Sequence, residues 1–346
     1  MPRHPFTPPR GRLETFEVTS ERLTNTLGDP ISRQVGVYRS SLCESDDDQY
    51  PLFVDLAAFT NSALGHLGWK AFSETLLQRI DRLEDEGQLG PAIWVFPDSF
   101  TSLGGNQFVD SPVTGQWATW LHTDLLEALE ARYPVRKDPG GRALFGKSSG
   151  GFGALHQVLN HGEHWAAAAC HSGDMGFELG YAADLSHALL YLEQQGVTHI
   201  GALDRIQAKK RLGGGDFQFL MIAALCASYD PAPDQPWGVQ LPVDPFTGER
   251  IEARWLKWLA FDPLTQVQDD KKARCLAGLS GLFIDCGRRD QYHLVYGARR
   301  FKAACEAKGL GLRFEEFDDT HSGIDYRLDV SLPYLYAQLT EAAISP

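Results

Sequence analysis

Hydrophobic positions fall into two registers along the chain. Over Gly11–Thr19 the pattern alternates, with Leu13, Phe16 and Val18 spaced for a sheet edge, and Ile31–Tyr38 follows after the turn Gly28-Asp29-Pro30. Both segments predict strands near a sheet edge. Short apolar runs come next: Leu52–Leu56, Ala92–Phe96, Ala143–Phe145, Ala166–Cys170, Leu282–Ile284 and Leu312–Phe317. Such runs suit strands buried on both faces of a parallel sheet. Between them a helical period predicts helices over Phe72–Leu83, Trp117–Tyr133, Gly153–Leu159, Val295–Lys308 and Leu332–Ala343. Antiparallel strands followed by strand–helix alternation predict an α/β protein, with a mostly parallel sheet covered on both faces.

One stretch breaks the alternation. From Asp174 to Ala277 the pattern is helical over Ala182–Gln195, Ile206–Leu212 and Phe217–Ser228, with a proline-rich loop Tyr229–Gly248 and the tryptophans Trp237, Trp255 and Trp258. The expected organisation is a core of residues 1–173 and 278–346 carrying a helical, aromatic-rich cap of residues 174–277. The aromatics fit either a small satellite core or the wall of an apolar pocket.

Composition narrows the classes. The chain has 346 residues, 43% of them hydrophobic, enough for a sizeable core. Its 45 acidic and 32 basic residues give a net charge of −13, which disfavours binding to phosphate backbones and anionic membranes. No run reaches the roughly 18 apolar residues of a spanning helix. The basic start of the chain lacks an apolar segment behind it, so no signal peptide is expected, and Pro5, Pro8 and Pro9 predict a short extended arm. Cys43, Cys170, Cys226, Cys275, Cys286 and Cys305 are scattered, which predicts reduced thiols and a cytoplasmic protein. The oligomeric state is left open.

The chemistry centres on Gly146-Lys147-Ser148-Ser149-Gly150, followed by Gly151 and Gly153. This is a G-x-S-x-G pentapeptide between an apolar strand and a helix. Small residues two before and two after the serine let neighbouring backbone approach the sharp turn that exposes its hydroxyl. The helix after it points N–H groups at a developing oxyanion. The same residues also match G-x4-G-K-S from Gly141 to Ser148, the phosphate-binding loop of nucleotide hydrolases. That motif needs a loop between its glycines. Here a strand fills the four positions, and Lys147 is expected to be an exposed residue of the elbow.

A serine nucleophile needs a base and an orienting acid. Past Leu282–Ile284 stand Asp285 and Asp290, and Asp290 fits the acid better because it lies beyond the strand end. Past Leu312–Phe317 stands His321, on the loop before the last helix, where the base belongs. His171 is expected either to support the site or to be a hydrogen-bonded core residue. His161 and His164 lack the H-E-x-x-H order, and no metal site is expected.

In combination these segments resemble the esterase D/enterochelin-esterase-like branch of the α/β-hydrolases. The resemblance covers an opening hairpin (residues 11–38), the loop Phe96–Phe100 with Gly104-Gly105-Asn106, the elbow Gly146–Leu155, and the acid and base segments around Asp290 and His321. It fades over the cap. It implies an α/β-hydrolase fold and hydrolysis of carboxylic esters or thioesters through Ser148, Asp290 and His321, without a cofactor. Some members of this branch are acyltransferases. The oxyanion donors it implies are the backbone N–H groups of Ser149 and Ala57. Phe100, Asn106, Trp237 and Trp258 are put forward as substrate contacts, for a small to medium, apolar or aryl ester.

Overall fold

The computed structural model describes residues 4–341. Its strands are β1 (Arg12–Thr19), β2 (Ser32–Arg39), β3 (Leu52–Leu56), β4 (Ile93–Pro97), β5 (Arg142–Lys147), β6 (Ala167–His171), β7 (Gly281–Gly287) and β8 (Arg313–Phe317). They form one sheet in the order β1-β2-β4-β3-β5-β6-β7-β8. The β1–β2 and β2–β4 pairs are antiparallel and every other pair is parallel.

Alternation of side chains sends the apolar runs to both faces. The helices are α1 (Leu76–Asp85), α2 (Trp117–His122), α3 (Asp124–Arg132), α4 (Ser149–Asn160), α5 (Phe177–Gln195), α6 (His199–Gln207), α7 (Gly214–Tyr229), α8 (Glu252–Leu259), α9 (Pro263–Gln266), α10 (Asp270–Ala277), α11 (Leu294–Ala307) and α12 (Leu328–Glu341). Leu52, Val54, Leu144 and Ala168 pack with α2, α3, α4 and α11 on one face. Phe53, Trp94, Phe145 and Ala169 pack with α1 and α12 on the other. The neighbouring residues of each strand therefore serve opposite layers, which is the wound architecture that unbroken apolar strands require.

Several expected helices shift. The single helix over Trp117–Tyr133 is two, divided at Thr123, whose φ of −115° and ψ of −86° are not helical. The Thr123 hydroxyl lies 2.7 Å from the Thr119 carbonyl and 2.7 Å from Asp124 Oδ2. Competition of this kind for backbone partners bends helices. The helix expected over Phe72–Leu83 starts at Leu76, because Thr75 and Gln78 form a capping box there. The helix expected over Ile206–Leu212 lies earlier, at α6, where Thr198 Oγ1 accepts from the Gly201 N–H. Ala342 and Ala343, at the end of the last expected helix, lie outside the described residues. So do Met1 to Arg3 of the expected arm. The rest of that arm is extended over α1, where Gln78 Nε2 donates to the carbonyls of Pro5 and Thr7.

The insertion between β6 and β7 has its own core. Phe177, Tyr181, Leu185, Phe219, Trp255 and Trp258 bury one another there, and Phe152 of α4 joins them. The end of the insertion behaves differently. α9 and α10 pack on α4 as flanking helices of the sheet.

Candidate active site

β5 ends at Lys147 and α4 begins at Ser149. Ser148, between them, has φ 55° and ψ −123°. A positive φ is costly for a residue with a Cβ and persists only where the surroundings impose it. Here the Ser148 N–H donates to the His171 carbonyl at 2.9 Å, and its own carbonyl accepts from the Phe152 N–H at 2.8 Å. The glycines follow from this turn. A Cβ on Gly146 would lie 2.5 Å from the Gly150 backbone and 2.6 Å from the Leu56 carbonyl oxygen. A Cβ on Gly150 would lie 1.8 Å from that same oxygen. The pentapeptide thus presses the elbow against the end of β3. Because the four positions from Arg142 to Phe145 lie in a buried strand, the G-x4-G-K-S match has no loop to wrap a phosphate.

Asp290 and His321 meet beyond the ends of β7 and β8. His321 Nδ1 lies 2.8 Å from Asp290 Oδ2. The other carboxylate oxygen of Asp290 accepts the Tyr292 N–H at 2.9 Å, and the Tyr292 ring packs edge-on against the imidazole at 4.8 Å between centroids. The His321 backbone N–H donates to Gln291 Oε1 at 3.1 Å, which ties the two loops together. Both residues of the pair are buried. Ser148 and His321 border one cavity of about 510 Å³ without a direct hydrogen bond between them. Such contacts are often long before substrate arrives.

Asp285, the other carboxylate weighed for the acid, is engaged elsewhere. It is completely buried and holds His171 Nδ1 at 2.7 Å and Arg327 Nε at 2.7 Å. His171 Nε2 lies 2.8 Å from Ser331 Oγ of α12. His171 is therefore a hydrogen-bonded core residue. Its carbonyl fixes the backbone of Ser148 while its ring joins β6, β7 and α12.

Ser149 is the first residue of α4, so its N–H has no acceptor within the helix. Ala57 follows β3 and is buried, and its side chain packs in the cluster under α1 and α12. Its neighbour Ala58 borders the cavity. Lys147 is not exposed as expected. It is partly buried between the main cavity and a smaller one of about 190 Å³, and burial lowers its ammonium pKa.

The four expected substrate contacts do not border the main cavity. Phe100 points its ring to solvent, and its carbonyl accepts from Arg33 at 2.9 Å. Asn106 is buried as a loop anchor: its Nδ2 donates to the Ser99 carbonyl at 2.6 Å, and its Oδ1 accepts the Phe108 N–H at 2.7 Å. Trp237 donates to Asp204 Oδ1 at 2.9 Å. Trp258 is fully buried behind Tyr181, with 5.9 Å between ring centroids. The aromatics of the cap are chiefly its core, as large side chains usually are. The cavity wall is made instead by Phe59, Tyr181, Phe217, Met221 and Tyr292, with Asp174 and Asp184 among them.

His164 stacks on His122 with ring centroids 4.6 Å apart, and His161 lies tilted against it at 4.2 Å. Among the described residues no group of three or more histidine, cysteine or acidic side chains is arranged to hold a metal. The six cysteines are free thiols, and burial raises the pKa of Cys43 to about 11. No helix among the described residues is long and apolar enough to cross a membrane.

Strand order, the elbow after β5 and the pair beyond β7 and β8 define an α/β-hydrolase fold. Solved structures share it. A ferulic acid esterase matches with a TM-score of 0.62 at 17% identity, over 95% of this chain and 99% of that one. An S-formylglutathione hydrolase from Agrobacterium tumefaciens gives 0.58 at 15%, over 96% and 97%. Within that fold, the family described as "Putative esterase" matches residues 100–331, and the chain belongs to it. A sequence relative, Esterase Rv1288 of Mycobacterium tuberculosis, is 34% identical over 113 residues. The shared stretch is 30% of this chain and 24% of the relative's length.

Proposed function

We propose that the protein is a serine carboxylic-ester hydrolase that works through an acyl-enzyme on Ser148. The observation that carries this reading is the backbone-strained serine at a strand–helix turn, facing across one cavity a buried histidine that is bonded to a buried aspartate. His321 Nε2 takes the Ser148 proton as Oγ bonds to the ester carbonyl carbon. The N–H groups of Ser149 and Ala57 receive the charge that develops on the carbonyl oxygen. The C–O bond to the alcohol then breaks, and the alcohol leaves with the proton from His321. Water, deprotonated by the same imidazole, releases the acid. Asp290 keeps the proton on Nδ1 and stabilises the imidazolium. No cofactor takes part. The substrate is a small-molecule ester sized to the cavity of about 510 Å³.

The test is hydrolysis of p-nitrophenyl acetate, butyrate and octanoate by the wild type and Ser148→Ala. Ser148→Ala is expected to lower kcat by roughly 10⁴–10⁶. Undiminished turnover in that variant overturns the assignment. Product that rises with an added alcohol moves the reading to acyl transfer by the same residues.

A further inference from the structure

Two carboxyl groups at the cavity, Asp174 and Asp184, have no part in the proposed reaction. Asp174 stands in the loop between β6 and α5 and borders the cavity with Ser148 and His321. It is only 7% exposed. Two buried carboxylates nearby have cationic or imidazole partners: Asp285 has His171 and Arg327, and Asp290 has His321, whereas Asp184 has the Gln218 amide at 3.3 Å. Asp174 has only a neutral donor. Gln107 Nε2 donates to its Oδ2 at 3.0 Å. A carboxyl group can accept more hydrogen bonds than this one. Burial raises its pKa, a shift that His321 partly opposes.

The chain goes to some length to hold this arrangement. The Gln107 amide nitrogen also lies 3.3 Å from Tyr181 Oη and 3.1 Å from Tyr229 Oη, so two buried tyrosines fix its direction. Gln107 and Phe108 have φ of 55° and 53°. Two consecutive left-handed residues that are not glycine cost on the order of 1–3 kcal/mol each. Asn106 braces them from behind by accepting the Phe108 N–H. A buried carboxyl without a cation is itself destabilising. Asparagine or an apolar residue would close the wall at lower cost.

We propose that Asp174 is a specificity-determining residue that accepts a hydrogen bond from a hydroxyl or ammonium group carried by the ester close to its scissile carbonyl. Gln107 and Tyr181 are then positioning residues, which aim the carboxyl. This rests on the serine-esterase reading and adds a polar donor to the apolar or aryl ester expected from sequence. A site built to bond a polar substituent rejects the analogue that lacks it far more strongly than an apolar pocket rejects an extra hydroxyl.

The experiment compares esters that differ at one group. Methyl 3-hydroxybutyrate and methyl 3-aminobutyrate are set against methyl 3-methylbutanoate, with 2-hydroxyethyl acetate against propyl acetate for the alcohol side. kcat/KM is measured by pH-stat for the wild type, Asp174→Asn and Gln107→Leu. At least one donor-bearing ester is expected to exceed its methyl counterpart by ~10–100-fold in the wild type. Asp174→Asn is expected to bring that ratio to within about threefold, and Gln107→Leu to an intermediate value. The better of the hydroxyl and ammonium esters identifies the donor. Calorimetric binding of the same esters to Ser148→Ala gives a readout without turnover. Equal binding and equal kcat/KM across every pair overturn the proposal, as does an unchanged ratio in folded Asp174→Asn. Loss of ester hydrolysis altogether refutes the esterase reading instead, and calorimetry then still decides whether Asp174 selects a donor.

Discussion

Two aspartates five residues apart, Asp285 within β7 and Asp290 on the loop after it, offer a sharp contrast. Asp285→Asn removes the negative charge from a fully buried group that holds His171 and Arg327, each at 2.7 Å. Breaking a buried pair from one side costs about 3–5 kcal/mol, and asparagine, which keeps one acceptor oxygen, belongs at the lower end. At about 2.1 cal/mol/K per residue, 346 residues give an unfolding entropy near 0.7 kcal/mol/K. The expected fall in Tm is therefore ~4–7 °C. Because Asp285 touches neither Ser148 nor His321, kcat measured well below Tm should stay within about tenfold of the wild type. Asp290→Asn instead removes the partner of His321 Nδ1 and should lower kcat by about 10⁴. Calorimetry for Tm and p-nitrophenyl butyrate turnover for kcat separate the two effects. A 10⁴-fold loss in Asp285→Asn with activity kept in Asp290→Asn would move the acid to Asp285. Activity kept in both would refute the triad.

Further outcomes follow from the same coordinates. Gly150→Ala places a Cβ 1.8 Å from the Leu56 carbonyl oxygen, so β3 or the elbow must move. Overpacking of this kind costs at least ~1–3 kcal/mol, and both Tm and kcat should fall, whereas an active variant of wild-type Tm contradicts the close approach. Burial lowers the pKa of His122 from 6.5 to about 4 and that of His156 to about 3. The folded chain thus holds these rings neutral while the unfolded chain protonates them. Stability from this source is complete above pH 6.5 and declines as pH falls towards 4 and 3. His122→Gln should flatten the Tm–pH profile in that window, and an unchanged slope removes His122 as a contributor. Arg327→Met deprives Asp285 and Glu315 of their shared partner. It should lower Tm while leaving the kcat of the remaining folded protein near that of the wild type, as differential scanning calorimetry and a matched turnover assay would report.

The parts of the site that backbone geometry dictates were readable from sequence. Gly146 and Gly150 must be glycine because carbonyl oxygens of neighbouring chain occupy their Cβ positions. Asp290 and His321 were readable because each follows an apolar strand by a few residues, so the carboxyl edge of the sheet gathers them. The cavity wall was not. Large aromatic content does not say whether a ring faces a core or a pocket, and Trp258 went to the core while Tyr181, on the same side of the cap, reached the cavity. Asp174 left a signal that could have been used, since it follows a buried strand as directly as Asp290 and His321 do. Asp184 and Tyr181 fall three apart on one face of α5, as do Gln218 and Met221 on α7, but a helical period alone cannot tell inward from outward. The division of the helix at Thr123 depended on a local side-chain bond that apolar spacing does not register.

The placement of the cap has a consequence during synthesis. β6 and β7 are neighbours in the sheet, yet the whole insertion is translated between them. At roughly 5–20 residues per second, the ribosome needs about 5–20 s to make the 110 residues from His171 to Gly281. For that interval the first six strands can pair, while the edge of β6, with its alanines 167–169, has no partner. An unpaired apolar edge invites association with other nascent chains. Slower initiation, lower temperature or a chaperone that shields strand edges should therefore raise the yield of native protein more than any change to the finished surface. Ser148 also leaves the ribosome long before His321 exists, so the two cannot face one cavity until β8 and the loop after it have been made.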